Sequence, residues 1–151
     1  MEFRAGERVE EVTTITLADW VQSPDILVEE NEHGVLTTAA LTDGTQSAEE
    51  IDFLLYELDR AKVTSNALLP TDIVRLNSIV RYRSITEPQR TIKLVLPKER
   101  EENYEYRLSV TTLHGAALLG LRPGQSLSWI TPDGAADQVE VLAVANTVIG
   151  R

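Results

Sequence analysis

The stretch that decides the fold is LSVTTLHGAALLGLRPGQSLSWITPDGAADQVEVLAV, residues Leu108–Val144. It opens on the end of a strand, Tyr106–Val110. His114–Leu119 follows as a short apolar helix in which Gly115, Ala116 and Ala117 permit close packing. Gly120 ends that helix, and Arg122-Pro123-Gly124-Gln125 fits a β-turn with proline then glycine at its centre. Leu127–Ile130 and Val139–Val144 read as strands joined through Pro132-Asp133-Gly134.

Upstream of that stretch the strand pattern continues. Ile79–Ile85 alternates Val80 and Tyr82 with Arg81 and Arg83, as a half-buried strand does. Glu87-Pro88 turns the chain, and Thr91–Leu96 places Ile92, Leu94 and Leu96 on one face. Pro97–Asn103 is a charged loop. Five short strands and one short helix, joined mostly by tight turns, predict an α+β fold with an antiparallel sheet against a helix.

Further upstream, Ser47-Ala48-Glu49-Glu50 is a capping box, in which serine and glutamate satisfy each other's backbone amides at a helix start. Ile51, Leu54, Leu55, Leu58 and Ala61 recur at helical spacing, so Ala48–Val63 is expected to be a helix. Phe53 and Tyr56 widen its apolar face toward the domain or a partner. Thr64–Pro70 reads as a linker. Asp19–Asn31 could hold a short helix starting near Ser23, with Pro24 in its first turn, Ile26 and Leu27 as its buried edge, and His33-Gly34 as its stop. Val35–Gln46 is weakly patterned apart from the Asp43-Gly44 turn signal. Residues 1–16 look frayed or extended, with a β-prone run at Thr13–Leu17. The expected division is an acidic segment and arm over 1–69 and a domain over 70–151.

Apolar residues make up 42% and charged residues 25% of the 151, enough to build a core and unlike a disordered chain. Without cysteine, disulfides and thiolate metal sites are excluded. The opening MEFRAGERVEEV is not a signal peptide, and no apolar run is long enough to span a bilayer, so a cytoplasmic protein is expected. The net charge of −10 is concentrated: residues 1–70 hold 15 acidic and 4 basic side chains, residues 71–151 hold 9 and 10. An acidic first half repels phosphates, so direct nucleic-acid binding is not expected of it. It suits a basic protein surface, or it serves solubility alone.

Little in the sequence points to catalysis. There is no nucleophile elbow, no P-loop and no dinucleotide-binding glycine pattern. His114 begins an apolar turn and reads as a cap or packing residue; His33 lies far from it, with no ligand spacing around either. The adjacent acids Glu10-Glu11, Glu29-Glu30, Glu49-Glu50 and Glu101-Glu102 read as solvated pairs rather than cation sites. The expectation is a protein that is not an enzyme and carries no cofactor and no metal.

HGAALLGLRPGQSLSW with the TPDG turn resembles the C-terminal domain of the Gre transcript-cleavage factors. ELDRAKV (Glu57–Val63) and PTDIVRLNSIVRYR (Pro70–Arg83) bring the resemblance closer to the Rnk branch of that family, the regulators of nucleoside diphosphate kinase. The resemblance implies an FKBP-like sheet with one short helix, preceded by a short coiled-coil-like helical arm. It implies docking on bacterial RNA polymerase near the rim of its secondary channel, with Arg81, Arg83, Leu119, Leu121, Arg122 and Trp129 as the docking residues. In the cleavage factors the arm tip carries two acids three residues apart that help hold a catalytic magnesium ion. Aligned on Glu32-His33-Gly34, this chain has Val35 and Thr38 at those positions, and Asp43 is a rival tip residue. Neither Val35 nor Thr38 can ligate magnesium as a carboxylate does, so cleavage stimulation is expected to be absent. An arm built on Ala48–Val63 would be about 24 Å long, short for reaching an active site. Self-association through the arm, and an adaptor role on a metabolic enzyme such as nucleoside diphosphate kinase, are the alternatives.

Overall fold

The computed structural model describes residues 23–99, 106–131 and 133–146. The readings of 1–16, of Thr13–Leu17 and of the second half of the charged loop lie outside them. In chain order come β1 (Leu27–Glu29), α1 (Glu30–Thr42), α2 (Ala48–Arg60) and β2 (Lys62–Thr64). Then follow β3 (Ile79–Ser84), β4 (Arg90–Val95), β5 (Arg107–Ser109), α3 (Leu113–Leu118), β6 (Ser126–Ile130) and β7 (Ala136–Ala145). The fold is mixed α+β.

Alternation builds the main sheet. Val80, Tyr82, Ile92, Leu94, Leu127, Trp129, Val139 and Val141 all turn inward and are buried, while most of their neighbours along each strand face out. The strand order is β5-β4-β3-β7-β6. Three pairings are antiparallel, but β4 and β5 run parallel, Lys93 opposite Arg107 and Leu94 opposite Leu108. The expected antiparallel sheet is therefore mixed at one edge. No hairpin joins β4 to β5: the chain leaves β4 through a 3-10 turn at Pro97–Glu99 and returns in the same direction. A bulge between Arg81 and Tyr82 shifts the β3–β7 register, which sharpens the local twist.

The Asn-Ser pair before β3 has a physical reason. Asn77 adopts φ of 73°, a left-handed conformation that asparagine tolerates better than most residues. The buried Ser78 then accepts from the Arg75 amide at 2.8 Å and donates to Asn146. The Asn146 amide group donates to the Thr71 and Ile73 carbonyls, both at 2.8 Å. The start of β3 and the end of β7 are thereby tied to one another.

The turn at Arg122–Gln125 forms as expected, with the Gln125 amide donating to the Arg122 carbonyl at 3.0 Å and Gly124 at φ of 89°. Gly120 does end α3, at φ of 81°, and Ile26 packs so close that a Cβ there would meet the Ile26 Cβ at 2.6 Å.

The helical half differs more from expectation. Pro24 starts no helix: residues 24–26 are irregular, and Leu27–Glu29 is a strand. The helix begins at Glu30 and runs through His33 and Gly34 to Thr42. Gly34 is thus a mid-helix residue and not a stop. The apolar signal is weak because only Leu36 and Ala40 of α1 are buried. Tertiary ties hold the helix instead. The Glu29 carboxylate caps its start by accepting from the Glu32 amide at 2.9 Å. His33 Nε2 lies 2.9 Å from the Leu58 carbonyl. Glu32 accepts from Arg75 Nε and Nη2 at 3.0 and 2.8 Å.

The capping box at Ser47 and Glu50 is present, and α2 follows it. α2 stops at Arg60, three residues before the expected end, because Lys62–Thr64 pairs in parallel with Leu27–Glu29. The expected linker contains a 3-10 turn at Asn66–Leu68 followed by a buried Leu69. α2 packs against α1 of the same chain and against α3. One cluster of buried side chains takes Ile26, Val28, Leu36, Leu54 and Leu58 together with Tyr82, Leu118 and Trp129. Residues on both sides of position 70 share that core.

Candidate functional site

The residues expected to dock separate into two groups. Arg81 and Arg83 face out from β3, with Arg83 Nε paired to Glu140 at 2.9 Å. Arg122 is exposed beyond α3 and holds Asp72 at 2.9 Å. Leu119, Leu121 and Trp129 are 1%, 0% and 3% exposed. They are core residues and present no side chain to a partner. Leu119 and Leu121 flank the tight Gly120 turn against Ile26, and Trp129 packs against Phe53 of α2 with the rings tilted and their centres 5.4 Å apart. The second contact that Phe53 suggested is thus made within the chain.

The expected arm tip is built differently from a projecting prong. Val35 and Thr38 lie on the exposed flank of α1, one turn apart, and not at its end. Asp43 ends α1, its amide donating to the Ala39 carbonyl at 2.9 Å. Its carboxylate accepts from the Thr45 amide at 2.9 Å, from Thr45 Oγ1 at 2.6 Å and from Thr111 Oγ1 at 2.7 Å. Burial alone would raise the Asp43 carboxyl, but the hydrogen bonds from Thr45 and Thr111 together outweigh it and hold the group below its ordinary value. The end of the helical hairpin is therefore fastened to the corner after β5, where Thr111 is itself buried and within 2.8 Å of Ser109 Oγ. The α1 flank also forms one wall of a groove of about 830 Å³ whose far wall is Leu96–Lys98. Among the described residues that line it, Asp43 and Lys98 are the charged ones.

A second polar cluster escaped the sequence. Tyr82 Oη lies 3.1 Å from His114 Nδ1, and His114 Nε2 lies 2.9 Å from Asp137 Oδ2. Arg90 Nη1 donates to the same tyrosine oxygen at 3.4 Å. Burial pushes the Tyr82 hydroxyl up, against the pull of the Arg90 guanidinium. His114 packs edge-on against Tyr82 and Trp129. The available signal was Tyr82 itself: an inward-facing tyrosine in a strand needs a partner for its hydroxyl. His114 is thus a packing residue with both ring nitrogens engaged, bridging α3 to β3 and β7.

Among the described residues, no three histidine, aspartate or glutamate side chains come together as a cation site. No helix among them is long and apolar enough to cross a membrane.

Comparison with known proteins agrees with this geometry. The family model described as transcription elongation factor, GreA/GreB, C-term, matches residues 69–146. The regulators of nucleoside diphosphate kinase of Escherichia coli (strain K12) and Shigella flexneri are each 38% identical over 91 residues, covering 60% of this chain and 67% of theirs. The structure of a prokaryotic transcription elongation factor GreA/GreB from Nitrosomonas europaea is similar with a TM-score of 0.61 at 30% identity, over 82% of this chain and 100% of that one. These relatives are named as regulators or transcription factors and not as enzymes.

Proposed function

The chain belongs to the transcription elongation factor GreA/GreB C-terminal family, and from that premise we propose that it binds bacterial RNA polymerase near the rim of the secondary channel without stimulating transcript cleavage. The observation that carries this reading is the end of the helical hairpin. At the positions aligned with the acidic pair stand Val35 and Thr38, on the flank of α1; of the acids at the hairpin end, Asp43 is turned back onto Thr45 and Thr111, and Glu50 accepts from the Ser47 amide. A magnesium ion held between factor and polymerase needs free carboxylate oxygens. Each helix has 13 residues, or about 20 Å of rise, which suits occupancy of an entrance better than reach to an active centre. The same reading takes the sheet over α3 as an FKBP-like docking module without isomerase chemistry. Of the docking residues, Arg81, Arg83 and Arg122 remain available to a partner.

Competition on stalled elongation complexes tests both halves. The protein is expected to be retained by core polymerase, to cause no cleavage alone, and to slow cleavage by an added Gre factor. Failure to recover core polymerase at micromolar protein would remove the reading. A second reading, direct regulation of nucleoside diphosphate kinase, is favoured by the names of the 38% identical relatives. Recovery of the kinase with a change in its turnover, and no recovery of polymerase, would replace the first.

A further inference from the structure

The outward side of the main sheet holds a feature at odds with the charge of the molecule. Arg81 and Arg83 on β3, Lys93 on β4 and Arg107 on β5 all occupy outward positions of their strands. The register brings them together: Arg107 is directly opposite Lys93, and Arg81 is opposite Thr91, two residues along β4 from Lys93. Neighbouring strands lie about 4.8 Å apart, and diagonal neighbours about 7–8 Å, so the four cations form a row about 20 Å long. Glu140 is the one acid among the outward strand positions, and it pairs with Arg83. The side chains of Arg81 and Lys93 have no hydrogen-bond or ion-pair partner among the described residues, while the Arg107 guanidinium donates to the Glu99 carbonyl at 2.7 Å. Placing Arg107 directly across from Lys93 costs stability through like-charge repulsion. In a chain of net charge −10, such a row calls for a reason beyond solubility.

We propose that this row is a docking surface for an acidic helix of a partner protein. Charge complementarity names the occupant. Steps of about 5–8 Å along the row match carboxylates three and four apart on a helix, whose Cβ atoms are about 5–6 Å apart. A nucleic acid fits less well. The outward positions carry no aromatic side chain on which a base could stack, and the acidic excess of residues 1–70 repels a long phosphate chain. The inference deepens the polymerase reading by naming the face and what it meets, and it rests on that reading only for the identity of the partner.

The test uses the full chain and three probes: a synthetic helix of about 20 residues with glutamates three and four apart, a single-stranded RNA of the same length, and core RNA polymerase. The peptide is expected to shift the backbone amide resonances of Arg81, Lys93 and Arg107 with an affinity that falls as salt rises. The double variant R81E/K93E should melt like the parent and bind the peptide about tenfold more weakly or worse. K62E, on β2 away from this face, should bind as the parent does. A parent chain that ignores the peptide, or a double variant that binds it unchanged, overturns the proposal. So does RNA that binds more tightly than the peptide at the same amides. If the parent binds the peptide but captures no polymerase, the polymerase reading falls and the acidic-helix surface stands.

Discussion

Gly115 stands where a methyl group has no room. A Cβ there would lie 2.1 Å from the Ser109 carbonyl oxygen and 2.9 Å from the Val110 Cα. Both are backbone atoms, so α3 itself would have to move off β5, and with it the buried Ala116, Ala117 and Leu118. Gly115→Ala is expected to cost about 3 kcal/mol, read as a lowered urea midpoint. Asp43 works by charge and not by bulk. Its folded-state carboxyl titrates below the ordinary value of 3.8, so its contribution to stability is present above that value and is lost as the pH falls through the folded-state value. Asp43→Asn should therefore lower the melting temperature at neutral pH and make less difference in acid, where the parent has lost the same charge.

At the scale of elements, the two hairpin helices make opposite predictions. Ser47 accepts from the Glu50 amide at 3.2 Å, and Glu50 returns a bond to the Ser47 amide at 3.0 Å. Ser47→Ala should cost about 1 kcal/mol. Gly34 sits inside α1 with open space where its Cβ would point, so Gly34→Ala should stabilise by up to about 1 kcal/mol, seen as a higher melting temperature. The same contrast explains what could be read from the residues. α2 announces itself through a local cap and an apolar stripe. α1 does not, because its ties run to Leu58 and Arg75, far along the chain. The strand partners Leu27 and Lys62 were hidden for the same reason: pairing in parallel across two helices leaves no turn residue to mark it. The outward row of cations was half visible, since alternation exposed Arg81 and Arg83 but no pattern gave the register that adds Lys93 and Arg107. The Leu119–Trp129 stretch was misplaced because its turn chemistry resembles a surface loop, whereas burial is decided by what covers it, here Ile26 and Phe53.

For the whole molecule, the helices serve the sheet as a cover. Phe53 meets Trp129, and Leu54 and Leu58 join the same buried cluster as Tyr82 and Leu118. A chain beginning at Pro70 would expose that apolar surface to water, so it should fail to melt cooperatively where the full chain does, as thermal unfolding by circular dichroism would record. A cooperative transition in the shortened chain would show that the sheet and α3 are sufficient alone.

The little parallel clasp of Leu27–Glu29 with Lys62–Thr64 has a consequence for how such a chain can change. Val28 and Val63 already stand side by side, so everything threaded between them is an insert whose ends are stitched together. Adding whole turns to both α1 and α2 would impose little extra closure entropy at the root and would leave the sheet untouched. The cost falls at the far end, where the Asp43–Thr111 bond would be given up. A snug cap and a long probe are thereby two settings of one scaffold, separated by a few helical turns and a single fastening.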